Sequence, residues 1–173
     1  MPVPRLKKAD YDKLFCMYGK KYRLPKLYLK AVAICESALD ERAYRFERNF
    51  WLRYLANNPE WKDREPTEVS ASYGLMQPLF VVAVEMGFSG TPEELYNPVY
   101  NIEIGAKILR KNINMVHSKN YQSKYSDYEI ATSKFNGGSW KNPSADGSLR
   151  NLKYMTKVMR VFHELKAKEK DCD

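Results

Sequence analysis

The sequence predicts an all-α, mainly helical globule with room for one small β element, and three observations carry that prediction. Apolar residues recur at helical spacing in four separate segments, two capping-box pairs mark helix starts, and prolines stand where first-turn residues belong. The chain has 173 residues, 44% of them hydrophobic and 13% aromatic, which is enough for one well-cored domain and short for two.

The elements follow in order. Ala9 to Tyr22 is an amphipathic helix with Leu14, Phe15, Met17 and Tyr18 on its apolar side. Leu24 and Pro25 open a second helix that stops near Leu39. Between Tyr44 and Ser70 the pattern is aromatic and irregular: Phe46, Phe50, Trp51, Tyr54 and Leu55 predict a short helix, and NNPEWKDREP reads as an exposed loop. A short β element fits the Trp61 to Ser72 region. Ala71 to Phe88 turns at Gly74 and enters an apolar helix around Pro78 that Gly87 and Gly90 end. Thr91 with Glu94 is a capping box with Pro92 in the first turn, and Asn97 before Pro98 predicts the next start. That helix runs from about Val99 to His117, with Ile102, Ala106, Leu109, Ile113 and Val116 on one side. Ser126 with Glu129 launches a short helix through Ile130 that meets FNGGS at Phe135 to Ser139. WKNPSADGS is a loop, and Leu152, Met155, Val158, Met159 and Phe162 mark a last helix.

Charge and cysteine usage narrow the function classes. A formal net charge of +8, from 29 basic and 21 acidic residues, attracts polyanions: nucleic acid, anionic membrane or bacterial cell wall. The basic residues are spread along the chain with no recognition-helix, zinc or sheet-platform motif, so specific nucleic-acid binding is not expected. Cys16, Cys35 and Cys172 are an odd set without metal-like spacing, and no disulfide framework is expected. His117 and His163 lack a partner at ligand spacing, so no metal site and no cofactor are predicted. MPVPRLKKADYDK has charges and no apolar core, so no signal peptide is expected, and no apolar run reaches membrane-spanning length. A monomer is expected.

The stretch LKAVAICESALDERAYRFE, Leu29 to Glu47, is where the pattern conflicts with itself. Leu24, Leu27, Tyr28, Ala31, Ile34, Cys35 and Ala38 form one apolar stripe, and Leu29, Val32 and Ala33 carry the apolar surface round to Glu36. A carboxyl group on such a helix points into a cleft or core, where poor solvation raises its pKa toward the range of a general acid. The same pattern also describes a buried Glu paired with Arg42 or Arg45 that only locks the fold. From this segment both readings stand.

Four pieces in fixed order then resemble the catalytic domain of the soluble lytic transglycosylases, relatives of goose-type lysozyme within the lysozyme-like fold. They are ICES (Ile34 to Ser37), SYGLMQ (Ser72 to Gln77), NPVYNIEIGAKIL (Asn97 to Leu109) and KFNGGS (Lys134 to Ser139). A fifth, NLKYMTKV (Asn151 to Val158), is similar to the family's closing helix with its Tyr. The resemblance covers about residues 24–162, and ERAYRFE is similar to the aromatic-rich insertion of phage and prophage members. It implies a single lysozyme-like domain over 1–173 with a catalytic cleft, acting on peptidoglycan glycan strands. Glu36 matches the family's single general acid and base. It would protonate the leaving oxygen of the MurNAc-GlcNAc β-1,4 bond and then take the proton of the muramyl 6-hydroxyl as that group closes a 1,6-anhydro ring. Ser72, Met76, Gln77, Asn136, Gly137 and Tyr154 match groove residues that contact or position substrate. An enzyme made in the cytoplasm that acts on the wall, either in phage lysis or as a virion part, is the expected context.

Two departures from the family pattern stand out. Phe135 occupies the place where the family often has a Tyr near the acid, which leaves Tyr154 to orient Glu36. Cys35 beside the acid points about a quarter turn away from it and reads as core packing. Two rivals remain. A hydrolase would need a second carboxylate to activate water, with Glu47 the leading candidate and Glu41 and Asp40 behind it. A non-catalytic glycan-binding or virion structural protein would keep the fold without turnover.

Overall fold

The computed structural model describes residues 8–119, 123–137 and 149–172. Eight α-helices and one two-stranded sheet make up the regular structure among them. The helices are α1 (Lys8–Tyr22), α2 (Lys26–Ser37), α3 (Arg48–Phe50), α4 (Pro66–Val69), α5 (Phe80–Glu85), α6 (Pro98–Lys119), α7 (Asp127–Gly137) and α8 (Leu152–Lys168). A wide π-type turn over Trp51–Leu55 continues α3, and a 3-10 turn over Pro92–Tyr96 precedes α6.

α2 is the axis of the larger core. Leu27, Tyr28, Leu29, Ala31, Val32 and Ala33 are all buried, consistent with apolar residues on more than one face of the helix. α1 packs on one side of it and α8 on another, while α6 lies against α1 and α7. Tyr28 ties three helices together. Its hydroxyl is 2.7 Å from Thr132 Oγ1 of α7, and its ring meets Tyr128 of α7 and Phe162 of α8 edge-on. α1 ends in a Schellman motif: Arg23 adopts φ 54°, Leu24 N–H reaches the Gly19 carbonyl at 2.8 Å, and Arg110 of α6 caps the Tyr22 carbonyl at 2.7 Å.

A smaller second core gathers Leu55, Val69, Ala71, Tyr73, Phe80, Val81, Leu95 and Ile104. Its sheet pairs β1 (Tyr44–Phe46) antiparallel with β2 (Ala71–Tyr73), with Arg45 opposite Ser72. Only β2 touches the region where a β element was expected. Three-residue strands are too short to show a period of two, which is why β1 escaped the sequence pattern.

Asn101, near the start of α6, joins the two cores. It is fully buried, and its side chain serves three backbone groups: Oδ1 accepts from Met76 N–H at 2.7 Å, and Nδ2 donates to the carbonyls of Tyr73 at 2.6 Å and Leu95 at 2.8 Å. Gly74 beside it has φ 68°, and a Cβ there would stand 2.5 Å from the Asn101 amide. A substituted Gly74 would therefore break the hub as well as strain the turn.

Other boundaries differ from the sequence pattern. The Ser126–Glu129 capping box forms, but its helix continues through Gly137, so Phe135 and Asn136 belong to the last turns of α7 and not to a separate turn. Gly138 and Ser139, the rest of KFNGGS, and the WKNPSADG stretch lie outside the described residues. The Thr91–Glu94 capping box also forms, and starts only the 3-10 turn.

The cysteine expectation needs correction. Cys16 of α1 and Cys172 are joined in a disulfide, their Cα atoms 5.7 Å apart, because the segment after α8 folds back onto α1 and α2. The same segment caps the start of α2: Asp171 Oδ1 accepts from Lys26 N–H at 2.8 Å, and Glu169 pairs with Lys30 at 2.8 Å. With a separation of 156 positions in sequence, the two cysteines give no local signal of their pairing.

Replacing Asn101 by the near-isosteric Leu strands three buried backbone groups at once. Asn101→Leu should lower stability by about 3 kcal/mol or more. Urea denaturation monitored by circular dichroism reads this as a fall in the midpoint.

Candidate active site

Glu36 stands in the last turn of α2, one residue before the helix ends. Ala38 closes the helix in the left-handed region, φ 54° and ψ 32°, with its N–H on the Ile34 carbonyl at 2.9 Å, and Leu39 follows with φ 61°. Two consecutive residues with side chains in that region are uncommon, and backbone of this kind persists where surrounding contacts hold it. One such contact is Ser37 Oγ, which donates to the Leu75 carbonyl at 2.7 Å and fastens the exit of α2 to the SYGLMQ segment.

The Glu36 carboxyl lines a cleft of about 1100 Å³ that runs between the two cores, walled in part by Arg45, Glu47, Ser72, Gln77 and Asn136. Tyr154, near the start of α8, donates its hydroxyl to Glu36 Oε1 at 2.5 Å. α2 and α8 run antiparallel, since Lys30 near the start of α2 pairs with Glu169 just past the end of α8, so Tyr154, the third residue of α8, reaches the end of α2. The Asn136 side chain makes a second hydrogen bond to the carboxyl. Burial raises the Glu36 pKa above the ordinary carboxylate range, and it outweighs four opposing influences: the Tyr154 hydrogen bond, the Arg45 charge, the Asn136 hydrogen bond and the Lys157 charge. Tyr154 itself is held as a proton donor, because burial and the adjacent Glu36 push its phenol well above its usual value.

The partners of Glu36 bear on its two readings. No Lys or Arg forms an ion pair with it among the described residues. Arg42 instead lies over the Tyr96 ring, and Arg45 Nε meets Glu47 Oε1 at 2.5 Å. A half-buried carboxyl held by two neutral donors, with no contacting cation among the described residues, is a different object from a structural salt bridge.

The remaining site residues divide. Ser72, Gln77, Asn136 and Gly137 all line the cleft. Gln77 adopts φ 50°, and its amide nitrogen donates to the carbonyls of Gly74 at 2.9 Å and Ala43 at 3.1 Å, so half of its side chain braces the loop. Gly137 lies against Asn151, whose amide occupies the space a Cβ would need. Phe135 lines the cleft and packs against the larger core. Met76 departs from expectation: it is fully buried, and its thioether packs on Gly105 of α6, where an added Cβ would stand 2.5 Å from Sδ. The missing side chain at Gly105 draws Met76 inward, so it is a packing residue with no place in the cleft wall. Cys35 is half-buried against the larger core, and burial raises its thiol pKa, which keeps it protonated.

Of the three second carboxylates, only Glu47 lines the cleft. Glu41 is buried and accepts from the Tyr11 hydroxyl at 2.7 Å, and exposed Asp40 accepts from Arg42 N–H at 2.9 Å. Among the described residues no group of three His, Cys, Asp or Glu side chains converges as metal ligands would, and no helix is long and apolar enough to cross a membrane. His117 sits at the surface 3.1 Å from Asp127. Two contributors stand outside the predicted site: Arg45, which the sequence offered only as an ion-pair partner of Glu36 and whose charge acts on it without an ion pair, and Asn101, which holds the SYGLMQ loop. An Asn on the apolar stripe of α6, in line with Gly105 and Leu109, was the available signal for the second.

The raised pKa links the site to stability, with a definite sign. The folded state binds the Glu36 proton more tightly than the unfolded chain does, so this group's contribution is most favourable below the unfolded pKa of roughly 4.3 and is lost as pH rises through the higher folded pKa. Glu36→Gln should therefore be more stable than the parent at neutral pH, and the difference should vanish below about pH 4. Thermal melts of both proteins across that range check it.

Comparison with known families shows that the Transglycosylase SLT domain family matches residues 13–145, a span that begins within α1 and takes in Glu36, the SYGLMQ loop, α6 and α7. No curated protein and no solved structure matches the chain. The mainly helical architecture agrees with this family's fold, and with most of its length matched, the chain belongs to the Transglycosylase SLT domain family.

Proposed function

We propose that the protein is a peptidoglycan lytic transglycosylase in which Glu36 is the single general acid and base. The observation that carries this reading is a carboxyl with a raised pKa, facing a large cleft and held by Tyr154 at 2.5 Å, with no cation in contact among the described residues. Family membership supports the reaction class.

The chemistry follows from the surroundings of Glu36. Protonated Glu36 donates to the glycosidic oxygen as the bond to the muramyl anomeric carbon breaks. The carboxylate that results is stabilised by the Tyr154 and Asn136 hydrogen bonds. It then accepts the proton of the muramyl 6-hydroxyl while that oxygen bonds to the anomeric carbon, which returns Glu36 to its acid form and leaves a 1,6-anhydro end. Because the nucleophile belongs to the sugar, the cleft's task is to hold that ring in a reactive shape. Ser72, Gln77 and Gly137 line the wall for this purpose. The net charge of +8 favours residence on an anionic wall. The aromatic insertion ERAYRFE supports a phage or prophage lysis role.

Mass spectrometry of digested peptidoglycan tests the reaction: anhydromuramyl ends are expected, and reducing ends would indicate the hydrolase with Glu47 activating water. Glu36→Gln should abolish wall clearing. With Phe135 in place of a second tyrosine, Tyr154→Phe should lower kcat about a hundredfold. Loss of that hydrogen bond also removes an influence that lowers the Glu36 pKa, so the alkaline limb of the pH profile should move upward.

A further inference from the structure

The strand β1 brings to the cleft a charged pair that the single acid and base cycle leaves unused. Arg45 and Glu47 both line the cleft with Glu36. They lie two residues apart at the end of β1, and Arg45 Nε donates to Glu47 Oε1 at 2.5 Å. Arg45 faces Ser72 across the sheet, so its backbone is fixed by the ladder, while Glu47 N–H bonds to the Ser70 carbonyl at 2.8 Å. Both partners are thus held from below, and the guanidinium projects from a rigid base.

Two consequences separate this pair from a second catalytic carboxylate. A guanidinium that does not give up its proton holds Glu47 Oε1, so this carboxylate is committed first to fixing Arg45. Arg45, in turn, lines the same cleft as Glu36 without forming an ion pair with it among the described residues, and its charge favours the Glu36 carboxylate. The cycle asks opposite things of Glu36 in its two halves: it must begin protonated and must then carry a negative charge until it takes the 6-hydroxyl proton. A cation near the carboxyl but out of contact stabilises the second state without forcing the first to ionise.

Resting on the reading of Glu36 as sole acid and base, we propose that Arg45 is a positioning residue that stabilises the Glu36 carboxylate in the ring-closing half of the reaction, and that Glu47 is the anchor of Arg45 and not a catalytic base. The charged or titratable groups around Glu36 are Tyr154 and Lys157 of α8, Cys35 of α2, and Arg45 with Glu47 from β1 and its exit. Of these, Arg45 is the one whose reach is set by another side chain.

The test is a pH profile of kcat/KM on purified peptidoglycan for Arg45→Gln, Arg45→Lys and Glu47→Gln. Arg45 is largely exposed, so its substitutions should leave folding intact, as circular dichroism will check. Arg45→Gln should move the alkaline limb upward by roughly half a pH unit and lower kcat at neutral pH several-fold, and Arg45→Lys should restore the limb. Glu47→Gln should retain activity within about tenfold, still give anhydromuramyl ends only, and add little to Arg45→Gln in the double variant. An unmoved limb in Arg45→Gln, or loss of all activity in Glu47→Gln, overturns the proposal. Reducing ends from the parent enzyme, or activity in Glu36→Gln, would instead overturn the acid and base reading on which it rests.

Discussion

A carboxyl group kept away from water at the end of an apolar helix is disfavoured in its charged form, and much of the structure answers to that single constraint. Glu36 reaches the cleft because α2 is buried over most of its length and because the helix is stopped at Ser37 by left-handed residues. Its hydrogen-bond partners come from elements distant in sequence, Tyr154 from α8 and Asn136 from α7. Those elements must be packed correctly before the carboxyl is correctly held. Folding and assembly of the site are therefore one event.

The cleft lies where the chain's two cores meet, along α6 and the SYGLMQ segment that contribute to both. Asn101 is the principal joint, since one amide fixes backbone from the SYGLMQ loop and from the turn before α6. Ser37 adds a second joint from the end of α2 to the same loop. Polar side chains serve at both places because loop backbone buried between two cores must find partners for its N–H and C=O groups. The glycines Gly74 and Gly105 allow the close approach that these contacts need.

Much of this was legible in the sequence for identifiable reasons. The long helices α2, α6 and α8 carry apolar stripes, and Glu36 interrupts one of them, so both the helices and the acid announce themselves. Motif order supplied Tyr154, whose contact with Glu36 spans 118 residues and has no local signature. What failed to show depended on contacts between distant segments. The strand β1 is three residues long, the Cys16–Cys172 pair spans almost the whole chain, and Met76 sits inward only because Gly105 leaves room for it. Phe135 and Asn136 read as a turn because the glycines after them suggest one, whereas helix continues through Gly137.

The disulfide between α1 and the segment after α8 makes the chain from Cys16 to Cys172 a covalent ring. In the chain-entropy picture, closing a loop of this size restricts the unfolded ensemble by about 5 kcal/mol. A ring also changes what a protease can do. One cut in the exposed stretch around Pro59 to Glu65 opens the ring but leaves both halves tethered through sulfur, with Asp171 still capping the helix that carries Glu36. Closure of this kind gives the chain the capacity to survive a nick.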